Sequence, residues 1–239
     1  MPHGADNLKV TAVIVGGGRG LRFGDPNGKQ LASVAGKPVL AWSTDAVAAA
    51  LLVDEVIVVC DPLRVNEYAA AILPTLRTDK PVSFVGGGDT RQDSVMNGVG
   101  EAADASIVVV HDGARPLVDA PTVDGAIQFL LDSGSAAGVV VGHPAIDTVK
   151  VVSGARITST PARADLWVAQ TPQVFFRDQL LFALESADSS GFTGTDDASL
   201  VERAGGEVLM YEGHRHNIKV TISDDLAVVE HHLRARGEE

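Results

Sequence analysis

The chain has 239 residues, 45% hydrophobic and 21% charged, with a formal net charge of −12. That acidic balance excludes bulk nucleic-acid binding, which needs a basic surface, but still allows a small polyanion held by a few clustered cations. No apolar run reaches bilayer-spanning length, which argues against a membrane role; residues 1–7 lack the basic and apolar regions of a secretory signal, and the single cysteine, Cys60, excludes an internal disulfide and fits a reducing, cytoplasmic compartment.

The first predicted element is an apolar strand over 10–15, which runs directly into Gly16, Gly17, Gly18 and Gly20. Glycine lets backbone N–H groups approach a ligand, and such loops form concave anion sites, although glycines alone also read as an ordinary turn. Two cations in the same loop, Arg22 and Lys29, turn the reading toward a nucleoside triphosphate. Neither familiar phosphate motif fits. A dinucleotide fingerprint needs a third glycine where Leu21 and Phe23 stand, which removes a dinucleotide-dependent oxidoreductase. A Walker A loop needs glycine at Phe23 and Ser or Thr at Gln30.

Helices and strands then alternate: helix 38–52, strand 56–60 ending on a buried Cys60, helix 64–76, strand 82–85, helix 92–103, strand 107–110, helix 121–131 and strand 137–141. Short apolar strands separated by helices predict an α/β fold, a mostly parallel sheet flanked by helices. Ligands of such sheets sit beyond the carboxyl ends of the strands, which selects the loops after Val15, Val85 and Val110. The rhythm breaks at 147–152 and 156–160, two β-like runs joined at Ser153-Gly154, which predict a protruding β-hairpin arm over about 145–163. Such a hairpin serves as a dimer arm or as plain surface. Helices 178–187 and 196–204, strands 207–211 and 218–222, and a last helix over 223–236 complete the chain. No repeat or linker interrupts it, so residues 1–239 read as a single domain.

The selected loops carry polar chemistry. In the loop after Val85, the glycine turn Gly86-Gly87-Gly88 opens a helix whose N-terminus favours an anion, or Asp89 and Ser94 read a base edge, or Asp89 or Thr90 is simply the cap. In the loop after Val110, Asp112 meets a magnesium–phosphate complex or orients a substrate, and Arg115 clamps a phosphate, unless the two form a structural ion pair. Arg163 follows the hairpin, and Lys219 sits in an apolar run where a lysine must be paired or working. His214 with His216 and His231 with His232 are spaced poorly for zinc, and Trp42, Tyr68, Trp167 and Tyr211 read as packing residues.

In this order, Gly18-x-Gly20-x-Arg22, Lys29-Gln30, Gly87-Gly88-Asp89-x-Arg91-x-Asp93-Ser94, His111-Asp112-x-Ala114-Arg115-Pro116, Asp147-Thr148, Gln170-Thr171-Pro172-Gln173, Thr195-Asp196-Asp197-Ala198-Ser199 and Asn217-Ile218-Lys219-Val220-Thr221 resemble the 2-C-methyl-D-erythritol 4-phosphate cytidylyltransferases. The chain departs from the family's usual Pro-Ala-Ala-Gly at Val15-Gly16-Gly17-Gly18 and from its usual proline at Gly28. The resemblance implies a Rossmann-like nucleotidyltransferase domain that transfers CMP from CTP to a sugar-alcohol phosphate. It further implies Arg22 and Lys29 as transition-state stabilisers, and Gly16, Gly17, Gly18, Gly20, Gly88, Asp89 and Ser94 as the nucleotide site. Arg163 and Lys219 would position the acceptor phosphate, helped by Thr148, Thr171 and Thr195. Magnesium would be held mainly by triphosphate oxygens, with Asp112 as its candidate protein ligand. The hairpin would swap across a homodimer, so that Arg163 serves the neighbouring subunit. A ribitol-5-phosphate cytidylyltransferase and a non-catalytic nucleotide-binding regulator are the alternative readings.

Overall fold

The computed structural model describes residues 8–18, 23 and 28–237. The elements follow as β1 (Val10–Val15), β2 (Ser33–Val34), β3 (Lys37–Pro38), α1 (Val39–Ala48), β4 (Glu55–Cys60), α2 (Val65–Ile72), β5 (Val82–Gly86), α3 (Arg91–Glu101), β6 (Ile107–Asp112), α4 (Ala120–Asp132) and β7 (Gly138–Pro144). Then come β8 (Val151–Ser153), β9 (Arg156–Ser159), β10 (Trp167–Phe176), α5 (Arg177–Ser189), α6 (Asp197–Arg203), β11 (Val208–Glu212) and α7 (Asp225–Ala235).

Seven strands form one sheet in the order β11-β7-β10-β6-β1-β4-β5. Neighbours pair in parallel except β10, which runs antiparallel to both β6 and β7. The apolar strands bury both faces because alternate residues point to opposite sides. Ile14, Val58 and Val109 pack with α1, α2 and α4 on one face. Val13, Ile57 and Val108 pack with α3, α5 and α6 on the other. A Cβ on Gly98 would come within 2.4 Å of Val13 Cγ1, so this glycine lets α3 lie close on the sheet and fixes where its first turn meets the strand ends. A third cluster joins Val34, Val39 and Trp42 to Leu117, Val220, Val229 and Leu233, and thereby seats both α7 and the segment before it. No helix among the described residues is long and apolar enough to cross a membrane.

Four expectations need correction. Residues 218–222 form no strand: Val220 N–H donates to Ala114 O at 2.8 Å, but no ladder continues from it. The long strand β10 lies in a stretch to which the sequence pattern assigns no element; its register shifts between Ala169 and Gln173, and Pro172 falls inside that irregularity, the place a sheet tolerates proline. The hairpin is shorter than its sequence pattern, pairing only β8 with β9. Trp167, read as packing, is 38% exposed, whereas Trp42 and Tyr68 are buried. Cys60 is buried, as its apolar run implies.

Candidate active site

Two adjoining clefts open at the carboxyl ends of the parallel strands. The larger, about 640 Å³, is bounded by Gly17, Gly18, Lys29, Gly88, Asp89 and Asp112, among others. Its floor is set by the first turn of α3. Thr90 caps this helix: its hydroxyl accepts from Asp93 N–H at 3.1 Å, while Asp93 Oδ2 accepts from Thr90 N–H at 2.9 Å. The cap is therefore Thr90, and Asp89 is left exposed on the cleft wall. Ser94 Oγ accepts from Gly88 N–H at 3.2 Å and donates to Thr90 O at 2.9 Å, so it holds the glycine turn in shape.

The glycines divide into two kinds. A Cβ on Gly88 would fall 2.3 Å from Asp93 Cβ, so packing of the capped turn demands glycine there; a Cβ on Gly18 would meet nothing within 4 Å among the described residues. Gly16 does not line the cleft, and its N–H is committed to Val59 O at 2.7 Å. Lys29 reaches the cleft with its Nζ donating to Val220 O at 2.9 Å. Gly20 and Arg22 lie outside the described residues.

The second cleft, about 310 Å³, is lined by Arg115, Gln170, Thr171 and Thr195, and shares Arg91, Asp112 and Lys219 with the first. Asp112, the last residue of β6, is its centre of charge. Lys219 Nζ lies 2.7 Å from Asp112 Oδ2, Arg91 Nε 3.3 Å from Oδ1, and Arg115 Nε 3.6 Å from Oδ2. Burial alone would raise the Asp112 carboxyl, but the charges of Arg91, Lys219 and Arg115 overcome it and hold the group well below the usual carboxylate range. Asp112 is ionised, and three cations surround it.

Behind Asp112 the backbone is fixed by a buried relay. Asp112 N–H donates to Thr171 Oγ1 at 3.0 Å, and Thr171 Oγ1 lies 3.1 Å from His111 Nδ1. His111 Nε2 lies 3.1 Å from Arg115 O. This network assigns a neutral imidazole that donates from Nε2 and accepts at Nδ1. Burial is the main reason its pKa is lowered to about 4. Arg115 donates to Asn217 O at 2.8 Å, and Asn217 Nδ2 donates to Thr171 O at 2.8 Å. Hence Thr171 borders the cleft, but its hydroxyl is engaged inside the protein.

Arg163 and Thr148 border neither cleft. Arg163 donates to Ile146 O at 2.8 Å at the base of the hairpin, and both side chains are exposed. The structure also adds residues to which the motifs gave no role. Arg91 forms a bidentate pair with the buried Asp197, at 2.9 and 2.8 Å, beside its contact with Asp112. Asp61, Pro62 and Leu63 line the larger cleft. Arg91 and Asp197 stand inside two of the quoted motifs, but their partnership crosses 106 residues and no local spacing encodes it.

Comparison with known proteins gives a consistent result. A family model described as 2-C-methyl-D-erythritol 4-phosphate cytidylyltransferase matches residues 10–235. The protein of that name from Caldanaerobacter subterraneus subsp. tengcongensis is 42% identical over 229 residues, 95% of this chain and 100% of the relative. Its namesake from Prochlorococcus marinus is 42% identical over 221 residues, 91% of this chain and 95% of the relative. Among solved structures, 4-diphosphocytidyl-2C-methyl-D-erythritol synthase from Anaerococcus prevotii superposes with a TM-score of 0.81 at 27% identity, covering 95% of this chain and 96% of that one.

Proposed function

Since the chain belongs to the 2-C-methyl-D-erythritol 4-phosphate cytidylyltransferase family, we propose that it transfers CMP from CTP to 2-C-methyl-D-erythritol 4-phosphate and releases pyrophosphate. The observation that carries the reading is the pair of adjoining clefts with Asp112, Arg91 and Lys219 on their shared wall. One cleft is of a size for a nucleotide, the other for a small phosphorylated polyol, and the reacting atoms would meet at the shared wall.

An acceptor phosphate oxygen attacks the α-phosphorus of CTP; the new P–O bond forms as the bond to the β-phosphate breaks, and pyrophosphate leaves with that electron pair. The nucleophile is already anionic near neutral pH, so no general base is needed, and the barrier lies in bringing two anions together. Lys29, with Arg22, supplies positive charge where it develops on the transferring group. Lys219 and Arg115 meet the acceptor phosphate, and Asp89 and Gly18 contact the nucleotide. The described residues contain no group of three or more His, Cys, Asp or Glu that could hold a metal. Mg²⁺ would be held mainly by triphosphate oxygens, as that ion keeps few protein ligands beside substrate phosphates, with Asp112, now paired with Lys219 and Arg91, as its candidate carboxylate. When bound, it neutralises triphosphate charge.

Arg163 and Thr148 lie away from both clefts of their own chain, on an arm that exposes Val149, Val151, Val152 and Ile157. That placement supports a homodimer in which the arm brings both residues to the partner's acceptor cleft. The reading carries a cytoplasmic location with it, where CTP is at hand. The test is pyrophosphate release from CTP and Mg²⁺ with methylerythritol phosphate, ribitol 5-phosphate or no acceptor. Release with the first alone is expected. Release with ribitol 5-phosphate instead would move the acceptor assignment, and tight CTP binding without turnover would make the protein a nucleotide-binding regulator.

A further inference from the structure

Arg91 is the first residue of α3, and its guanidinium touches two other parts of the site. Nη1 and Nη2 grip the two carboxylate oxygens of Asp197 at 2.9 and 2.8 Å, and Nε reaches Asp112 at 3.3 Å. Asp197 opens α6 and its side chain is only 1% exposed. The residues just before it, Thr195 and Asp196, line the acceptor cleft. The residues just before Arg91, Gly87 to Thr90, line the nucleotide cleft. One planar group therefore spans the entry loop of α3, the end of β6 and the start of α6. The neighbouring Gln92 adds neutral bonds along the same seam, donating to Phe192 O at 3.3 Å and accepting from Gly194 N–H at 3.2 Å.

Resting on the cytidylyltransferase reading, we propose that Arg91 is a positioning residue that sets the acceptor cleft against the nucleotide cleft by holding Asp112 and Asp197 on one guanidinium. Arginine suits this task because its fork offers paired donors to one carboxylate and a further N–H to another, in fixed relative directions. Lysine keeps the charge but offers a single donor centre, which cannot grip Asp197 bidentately while meeting Asp112. The capping box of Thr90 and Asp93 fixes the backbone from which Arg91 projects, so the nucleotide loop keeps its shape when the fork is lost. On the acceptor side α6 keeps its own cap, Asp196 with Ser199, and Asp112 keeps Lys219 and Arg115, but losing the fork unties the Asp197 carboxylate from that of Asp112 across the cleft. A misplacement of about 1 Å in one reactant is enough for a large loss of rate.

The experiment is steady-state kinetics on the full chain with Mg²⁺, CTP and 2-C-methyl-D-erythritol 4-phosphate, together with calorimetric CTP binding. Arg91→Lys is expected to raise the KM for the acceptor by about 10-fold or more and to lower kcat, while the KM and Kd for CTP stay within about 3-fold. Asp197→Asn should reproduce the acceptor defect, and the double variant should be no worse than Arg91→Lys alone, because the bidentate Arg91–Asp197 pair is already lost in the latter. A CTP KM that rises as far as the acceptor KM overturns the proposal, since Arg91 would then be serving the nucleotide directly. Multiplying defects in the double variant overturn it as well. If Arg91→Lys does not fold, Asp197→Asn decides alone: an unchanged acceptor KM refutes the role. Absence of transfer by the unmodified protein would instead sink the cytidylyltransferase reading, whereas normal transfer with an unaffected Arg91→Lys removes only the positioning role.

Discussion

Replacing His111 by glutamine should make the fold less sensitive to acid. His111 has no exposed surface, and burial holds its imidazole down to about 4 from an ordinary 6.5. Over that window the unfolded chain takes up a proton that the folded one refuses. His111 therefore contributes fully to stability above about pH 6.5, and the contribution drains away as the pH falls toward about 4. The two pKa values give a loss of about 2 kcal/mol between about pH 7.5 and pH 5, growing to about 3 kcal/mol by about pH 4. Urea unfolding of both proteins at the first two pH values, followed by circular dichroism, measures it. The variant should start lower, by about 1–2 kcal/mol for the disturbed bonds to Thr171 and Arg115. It should then lose about 2 kcal/mol less than the unmodified protein on acidification. Every other titrating group contributes alike to both proteins, so the difference isolates His111. Parallel acid losses in the two proteins would refute the assignment of a neutral, proton-refusing imidazole behind Asp112.

Lys29→Ala should lower kcat by about 100-fold or more, the scale of losing one donor to a developing charge; single-turnover quench-flow checks that chemistry, not product release, has slowed. Val152→Asp combined with Ile157→Asp should yield a monomer in sedimentation analysis and lower acceptor turnover, because both exposed apolar side chains stand on the short hairpin; an unchanged mass would remove the arm from the dimer contact. Cys60 should resist iodoacetamide at about pH 8 and react promptly in urea, since burial, aided by Asp61, pushes its thiol up to about 11. Mass spectrometry reads the adduct.

The parallel half of the fold was legible because its strands are short, purely apolar and spaced by helices, and β1 begins and ends where the pattern says. β10 was not, for a physical reason. Its apolar ends, Trp167 to Ala169 and Val174 to Phe176, are separated by Gln170, Thr171, Pro172 and Gln173, a polar group that reads as a connection. Those residues are buried because the site supplies their partners. Gln173 bonds to Asp196 at 2.8 Å and to Ala198 N–H at 3.0 Å, and Thr171 serves Asp112 and His111. The reverse error at 218–222 has a related origin. The alternation there belongs to a segment whose Val220 packs inward and whose Lys219 faces the cleft, with no ladder partner among the described residues.

The candidate site was legible to the extent that a residue acts from its own loop. Lys29, Asp89, Asp112 and Lys219 were each marked by a charge placed beside glycines or at the end of an apolar run, and each borders the larger cleft. Residues that work on other residues left no such mark. Ser94, read as a ligand group, lines the larger cleft and also holds the Gly88 turn; Thr171, read as a substrate contact, borders the second cleft and also fixes the Asp112 backbone. Arg91 and Asp197 meet only because α3 and α6 pack on the same face of the sheet. Charges concentrated at the strand ends point to phosphate chemistry, while the buried bonds behind them, which hold those charges in place, become visible only when the chain is folded. Conservative changes to that second group should therefore alter KM and acid stability more than they alter the identity of the reaction, which rests on the cations that face the clefts.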